Sequence, residues 1–337
     1  MKILSIESSC DETAAAVVDD LMQVHANIVY SQADHAAFGG VVPELASRAH
    51  MRSMVFTIRE ALREADVTWD DLSGIAVTHG PGLVGSLVVG VSVAKGIALA
   101  TGKPLVGVHH MEGHIFSNLI AQKIDPPFLT LLVSGGHTEL ICVEALGSYK
   151  LIGRTRDDAV GEAFDKVAKL MGLLPVNEVV AGGRIVSEIA QKGDPDSINF
   201  PRALVGHADF SFSGLKTAVL NYVRGLTEED RRSQLADICA SFQSAAVDSL
   251  VTKTIQALHQ HGKTINAVCI AGGVAANQSL RESLRREVEK YGMPFFCPDF
   301  EYCTDNAAMI GAVGVDRFSK GLVDDFTLDA SPRLKLC

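Results

Sequence analysis

Lys2-Ile3-Leu4-Ser5-Ile6-Glu7-Ser8-Ser9-Cys10-Asp11-Glu12-Thr13-Ala14-Ala15-Ala16-Val17-Val18 is the stretch whose reading decides the fold. An apolar run, Ile3 to Glu7, meets a short polar turn, and a second apolar run, Thr13 to Val18, stops at Asp19-Asp20. A third run, Val24 to Tyr30, follows. Short apolar runs joined by tight polar turns predict an antiparallel meander. The period then changes. Pro43 to Ala65 opens with proline and carries apolar residues at helical spacing. Gly74 to Thr78 reads as a strand, Gly85 to Ala100 as a helix and Leu105 to Val108 as a strand. Strand–helix alternation predicts a parallel portion added to the meander, and so an α/β fold.

The order restarts at Phe128. Phe128 to Val133, the turn Ser134-Gly135-Gly136, Thr138 to Val143 and a strand near Tyr149 to Ile152 repeat the meander. Helices at Ala159 to Met171 and Asp230 to His261 precede a strand, Ile265 to Ala271, and helices at Ala276 to Tyr291 and Asp305 to Ser319. Two halves of like order predict an internal duplication without sequence identity, with a ligand cleft at their junction. Val176 to Phe212, rich in Gly, Pro, Asp and Asn, reads as a long functional loop or a small inserted subdomain. The expected division is an N-terminal lobe over 1–127, a C-terminal lobe over 128–325 with a loop-rich insertion at 174–212, and a tail over 326–337. The helix at about 303–320 is the one element of the second lobe that could return to the first.

Composition narrows the class. A chain of 337 residues fits two domains at roughly 100–200 residues each. Its 47% hydrophobic content suits buried cores and excludes whole-chain disorder. The apolar stretch from Leu83 to Ala94 meets Lys95 after 12 residues, short of the roughly 18–20 a membrane span needs. Glu7 comes too early for a signal peptide. Seven cysteines, an odd number with no C-x-x-C pair, suit reduced thiols in the cytoplasm. The net charge of −10, from 40 acidic and 30 basic residues, argues against a free-standing nucleic-acid binder.

Five segments offer chemistry. In the first turn, Ser8 and Ser9 with Asp11 and Glu12 read equally as a capped hairpin or as an anion-adjacent loop whose carboxylates handle a proton or an ion. In the second, Ser134-Gly135-Gly136-His137-Thr138, adjacent glycines permit positive φ and close backbone approach. Facing one another, the two turns would form a phosphate clamp. Ala271-Gly272-Gly273 to Asn277 places a glycine turn between a strand and a helix start, which is either anion-binding geometry or a helix capped by Asn277. In His109-His110-Met111-Glu112-Gly113-His114, His110 and His114 stand at i and i+4 on one helical face, a spacing that suits one metal ion. The order is wrong for H-E-x-x-H, and two imidazoles need a further ligand, which Asp305 of Cys303-Thr304-Asp305-Asn306 offers. Iron and zinc both suit such donors. Glu162 and Asp165, at i and i+3, are either a solvated face or a carboxylate reaching a ribose or a substrate hydroxyl.

These segments, together with Gly39-Gly40-Val41-Val42-Pro43-Glu44, Gly80-Pro81-Gly82-Leu83 and Phe210-Ser211-Phe212-Ser213-Gly214-Leu215-Lys216-Thr217, occur in the order found in the bacterial TsaD family, formerly labelled glycoproteases. The chain resembles that family from about residue 3 to about 320. The resemblance implies an actin/hexokinase/Hsp70-like fold of two similar lobes with mixed sheets and an interlobe cleft. It implies transfer of the threonylcarbamoyl group from threonylcarbamoyl-adenylate to N6 of adenine 37, in the anticodon loop of tRNAs reading codons that begin with A. By the same resemblance His110, His114 and Asp305 would hold the metal, Fe(2+) in the usual description. Leu132, Val133, Ser134, Gly135, Gly136, Asp165, Gly183 and Asn277 would contact the adenylate. A TsaB-type inactive paralogue and a TsaE-type ATPase would be partners, and no membrane is implied. One departure stands out. The family's Tyr-Pro-Gly-Gly-Pro turn is replaced within Leu174 to Arg184, where Gly182-Gly183 remain but Ala181 and Arg184 stand in place of prolines. That loss predicts a looser loop and adds a positive charge near the expected ligand.

Adenine's exocyclic amine is a poor nucleophile, so a base is expected, with Asp11 or Glu12 as candidates. The rival readings are a metalloprotease, a small-molecule kinase of the same fold, and a nucleotide-dependent scaffold. If tRNA is the substrate, an acidic chain must gather its basic residues locally or borrow positive surface from a partner. Arg48 with His50 and Arg52, and Arg281 with Arg285 and Arg286, are the local clusters.

Overall fold

The computed structural model describes residues 1–32, 35, 40–120, 122–174, 181–204, 206–262 and 264–337. Contacts divide the chain into two compact units. One is Met1–Lys123 with Pro298–Cys337, and the other covers the described residues from Ile124 to Cys297.

The first unit is built on a five-stranded sheet. Its strands are β1 (Lys2–Glu7), β2 (Glu12–Asp19), β3 (Val24–Ser31), β4 (Gly74–Gly80) and β5 (Leu105–His109), in the order β3-β2-β1-β4-β5. β1 pairs antiparallel with β2, from Lys2↔Asp19 to Glu7↔Ala14, and parallel with β4. β2–β3 is antiparallel and β4–β5 parallel. The expected meander with a parallel extension is therefore present. Alternate side chains of a strand point to opposite faces. Leu4 and Ile6 of β1 join Met54 and Ile58 of α1 (Pro43–Glu64) and Val91 and Ala94 of α2 (Val84–Thr101) in one core. The opposite parity, Ile3 and Ser5, meets α10 (Ala307–Ser319). Helix α2 is long and apolar enough to cross a membrane by length and composition alone. Here one face of it packs against β4 and α1, and about a third of its residues are buried.

Helix α10 takes the second of the two places left open for the helix at 303–320. Pro298–Cys337 joins the first unit, not the second, because α10 lays an apolar face on β1, β2 and β5. Glycines make the approach close. A Cβ at Gly314 would lie 2.6 Å from Ala76 Cβ and 2.7 Å from Ile3 Cδ1. The segment after α10 continues along the sheet edge. Asp324 bonds both ways with Leu105 and Gly107 of β5, and Ser331 N donates to the His79 carbonyl.

The second unit repeats the plan. β6 (Phe128–Val133), β7 (Thr138–Ala145), β8 (Ser148–Arg154), β9 (Ala267–Ala271) and β10 (Phe295–Phe296) lie in the order β10-β9-β6-β7-β8. The first three pair antiparallel, and β9 pairs parallel with β6 and β10. Strand for strand, this is the order and sense of the first sheet, as the duplication requires. The helices are α4 (Val160–Leu170), α5 (Gly182–Ala190), α6 (Ser213–Arg224), α7 (Glu228–Ser233), α8 (Leu235–His261) and α9 (Gln278–Glu289), while the short α3 (His110–Phe116) follows β5 in the first unit. The single helix expected over 230–261 is interrupted at Gln234, whose Oε1 accepts from the Tyr222 hydroxyl at 2.7 Å. Within the expected insertion, α5 is regular helix packed on α4 and α8. Lys253, 4% exposed, donates to the Leu204 and His207 carbonyls and so tethers the irregular part.

The Gly314 contact has a measurable consequence. Gly314→Val should destabilise the chain by about 1–3 kcal/mol through overpacking, read as a lower urea midpoint with an unchanged m-value.

Candidate active site

The first turn and α3 converge in the first unit. Glu7 ends β1 fully buried. Its carboxylate accepts from Ser9 N and from Thr78 Oγ1 at 2.6 Å, and meets His110 Nδ1 at 3.0 Å. Ser9 Oγ lies 3.2 Å from the same nitrogen. With Nδ1 engaged, His110 presents Nε2 to Asp305 Oδ1 at 3.5 Å, and His114 Nε2 lies 3.2 Å from that oxygen. The i, i+4 spacing thus works as expected: ligand atoms from His110, His114 and Asp305 all lie within 4.8 Å of one another. Asp305 precedes Asn306, whose side chain caps α10 through Met309 N at 2.9 Å.

Two observations make this a fit for a metal ion. Both ring nitrogens of His114 are buried without a hydrogen-bond partner, although Asp305 is close. Such orphaned imidazole atoms are costly unless something outside the protein satisfies them. The charge balance points the same way. Burial by itself disfavours the His110 imidazolium, but the Asp305 and Glu7 carboxylates outweigh it and hold the ring well above its ordinary range. Burial would raise Asp305, yet His110 and His114 hold it well below the usual carboxylate range. A site that attracts a proton so strongly attracts a cation for the same reason.

His109 has another job. Its Nδ1 accepts from Met111 N at 3.1 Å as the α3 cap, and Nε2 meets the Leu334 carbonyl at 3.2 Å. Glu112 turns away from the histidine pair, its Oε2 2.7 Å from Arg317 Nη2. Of the expected basic clusters, His50 is fully buried between Thr13 Oγ1, at 2.8 Å, and the Cys10 carbonyl, at 2.9 Å, and offers no surface charge. Arg48 pairs with Glu44 at 2.8 Å.

Asp11 and Glu12 follow in the same turn, both partly exposed. Burial, then the Asp305, Asp11 and neighbouring Glu7 charges, push the Glu12 carboxyl up to about 9. At neutral pH it keeps its proton.

In the second unit the structure groups the residues expected at the adenylate. Ser134 closes its turn by accepting from His137 N at 3.1 Å and donating its own N–H to the His137 carbonyl at 2.8 Å. Gly135 and Gly136 are exposed, adopt no positive φ and have open space where a Cβ would stand. The expected backbone twist is therefore not what glycine supplies here. It leaves bare N–H groups open to close approach. Gly161, at the start of α4, packs on the Ser134 carbonyl, which a Cβ would crowd at 2.6 Å. Asp165 accepts from Gly183 N at 3.2 Å, and burial raises its carboxyl. Glu162 pairs with Lys166 at 2.8 Å. Arg184 pairs with Glu188 at 2.8 Å, and residues 175–180 of the departing loop, like Gly39, lie outside the described residues. Gly272 takes φ +90, a conformation few other residues accept. Asn277 caps α9 through Leu280 N at 3.0 Å, while its Nδ2 donates to Gln243 at 2.8 Å and Ser187 at 2.9 Å. All three line a cavity of about 610 Å³.

Thr78, Gln243 and Ser187 carry no local sequence signal, and Glu7 reads in the sequence only as the end of an apolar run. Each acts through a partner 71 or more residues away in the case of Thr78 and Glu7, and 34 and 90 in the others.

A family model described as TsaD, tRNA N6-adenosine threonylcarbamoyltransferase, matches residues 23–312. The tRNA N6-adenosine threonylcarbamoyltransferase of Caldicellulosiruptor bescii is 46% identical over 338 residues, covering 100% of this chain and 98% of that protein. The one from Geobacter metallireducens is 51% identical, covering 98% and 96%. Among solved structures, HypF in its phosphate- and nucleotide-bound form is similar with a TM-score of 0.61 at 14% identity, over 94% of this chain and 55% of that one. Component A of the Acidaminococcus fermentans (R)-2-hydroxyglutaryl-CoA dehydratase gives 0.53 at 16%, over 94% and 97%. At such identities the likeness speaks for fold alone, which is of the actin/hexokinase/Hsp70 type.

The raised Glu12 makes stability depend on pH. Between its ordinary value of 4.5 and about 9 the folded chain holds a proton that the unfolded chain has lost. Stability therefore falls as pH rises through that window. Glu12→Gln should raise the melting temperature at pH 8 with chelator present, and the gain should vanish near pH 4. Equal effects at both pH values would show that Glu12 ionises normally.

Proposed function

The chain belongs to the TsaD family of tRNA N6-adenosine threonylcarbamoyltransferases, and on that premise we propose how its own residues divide the work. The enzyme is an acyltransferase that forms t6A, moving the threonylcarbamoyl group from threonylcarbamoyl-adenylate to N6 of adenine 37 in tRNA. The amine nitrogen attacks the carbamoyl carbonyl carbon, a C–N bond forms, and the C–O bond to phosphate breaks with its electron pair leaving on AMP. The N6 proton needs an acceptor.

The observation that carries the assignment of roles is the buried His110–His114–Asp305 cluster, backed by Glu7, in a chain that matches the family end to end. These three residues would hold one divalent ion, Fe(2+) in preference to Zn(2+). When bound, it supplies Lewis-acid stabilisation of the phosphate that departs with AMP. Glu7 fixes the His110 tautomer so that Nε2 is the coordinating nitrogen. Asp11 is the proton acceptor. Glu12, beside it in the turn, shares the acid–base role. The bare N–H groups around Ser134, Gly135 and Gly136 receive phosphate or acyl oxygens, after the apolar Leu132 and Val133 that lead into the turn. Asp165 and Gly183 take the ribose, and Asn277 contacts the nucleotide from the start of α9.

Anticodon-loop binding fits an adenine that can be splayed from single-stranded RNA. With a net charge of −10, the chain needs positive surface from elsewhere. A TsaB-type paralogue and a TsaE-type ATPase are the proposed partners. Met51, Val55 and Phe56 on α1 and Val84 and Val88 on α2 are exposed apolar side chains that the paralogue could cover. The cytoplasm is the compartment where such a complex meets tRNA. A protease reading loses its base, because Glu112 pairs with Arg317.

The test is transfer from purified adenylate to unmodified tRNA, with nucleosides read by mass spectrometry. Asp11→Asn should lower kcat by roughly 10²–10⁴, and His110→Ala should remove both activity and bound metal. Full transfer by an Asp11→Ala, Glu12→Ala double variant sinks the acid–base assignment. A second expectation concerns salt. The isolated chain should bind tRNA weakly and lose affinity steeply between 50 and 200 mM salt, and tight binding at physiological salt would contradict the need for a partner.

A further inference from the structure

We propose that the Glu112–Arg317 ion pair is a positioning device for the metal centre, setting the rotation of α3 against α10 and with it the spacing of His110 and His114 from Asp305. The proposal rests on the reading that those three residues hold an ion.

Helix α3 has seven residues, all buried. A helix that short has little stability of its own, so tertiary contacts must set its orientation. His110 and His114 share one face. Glu112, two residues from each, lies about 200° round the helix from His110 at 3.6 residues per turn. The two faces are fastened to opposite ends of α10. On one side the histidines meet Asp305, just ahead of the α10 cap Asn306. On the other, Glu112 Oε2 lies 2.7 Å from Arg317 Nη2, in the last turn of α10. Between them Gly113 packs under the α10 side chains, where a Cβ would stand 2.8 Å from Ile310 Cδ1 and 3.1 Å from Met309 Cγ.

Arg317 also donates through Nη1 to the Gly107 carbonyl. Gly107 belongs to β5, the strand that leads into α3. One guanidinium therefore grips the element before the His109–His110 junction and the one after it. Its planar fork can do this where a lysine could not. Turning α3 enough to move either imidazole would pull Glu112 off Arg317 and break an ion pair whose carboxylate is only 3% exposed. An apolar pair could fill the same space, so what the charged pair adds is a defined angle. This also explains the glutamate between the histidines, which the protease reading would use as a base.

Cobalt(II) is the probe, because its ligand-field absorption reports ligand geometry independently of activity. The full-length chain is titrated with Co(2+) against a competing chelator, and thermal melting is followed in parallel. Glu112→Gln should weaken Co(2+) binding on the order of 10-fold and shift the absorption bands. The double variant Glu112→Met, Arg317→Met should melt closer to the parent than the single variant yet keep the weakened affinity, which a purely structural pair would not do. It also serves where the single variant does not fold. Wild-type affinity and spectrum in either folded variant overturn the proposal. No Co(2+) bands in the parent chain overturn the metal reading, and this inference with it.

Discussion

Glu7 is fully buried, and a carboxylate taken out of water costs several kcal/mol unless its oxygens are satisfied. Here a backbone N–H from the next turn, a hydroxyl from β4 and an imidazole from α3 satisfy them. One charge thus draws three separate segments to the end of β1. Burial alone would raise its pKa, and the His110 interaction reverses that shift. The tautomer of His110, the direction of its second nitrogen and the local surplus of negative charge all descend from this contact. Without it, the neighbouring histidine and aspartate would be polar groups without a common purpose.

The two sheets share strand order and sense, yet their first turns have diverged. In the first unit the turn after β1 is drawn inward and its serines are spent on protein contacts, such as Ser8 Oγ to the Ser86 carbonyl at 3.0 Å. In the second unit the turn after β6 is left bare, with two glycines open to solvent. The same architectural position backs the histidine pair through Glu7 and Ser9 in one copy and leaves a set of exposed N–H donors in the other. That is the pattern expected when function lives in loops carried by a repeated scaffold.

How much of this could be read in advance depends on distance along the chain. The meanders were legible because a strand's signal lies within a few residues. The histidine pair was legible because i, i+4 spacing is local, and Asp305 because it sits at a helix start. Glu7 and Thr78 were not, since their partners are 103 and 71 residues away and a buried glutamate leaves no local mark. The break at Gln234 carries neither glycine nor proline; what marks it is a side-chain contact with a tyrosine hydroxyl from another helix. Which unit the helix at 303–320 would join stayed open, because an apolar helix does not announce which sheet it will cover. His109 sat in the motif without sharing its role, as a cap and an anchor.

The first unit is interrupted: its sheet and α3 come from the beginning of the chain, and Asp305 and α10 from the end. A ribosome delivers residues in order, so β1 to β5 emerge with one face of the sheet uncovered and with two of the three cluster residues in hand. The second unit is continuous and can fold while that face waits. Only when the last forty or so residues emerge does α10 cover the sheet and complete the cluster. A product that stops before α10 therefore keeps the core that β1 and β4 form with α1 and α2, but leaves the other face of the sheet bare and the histidine pair without Asp305.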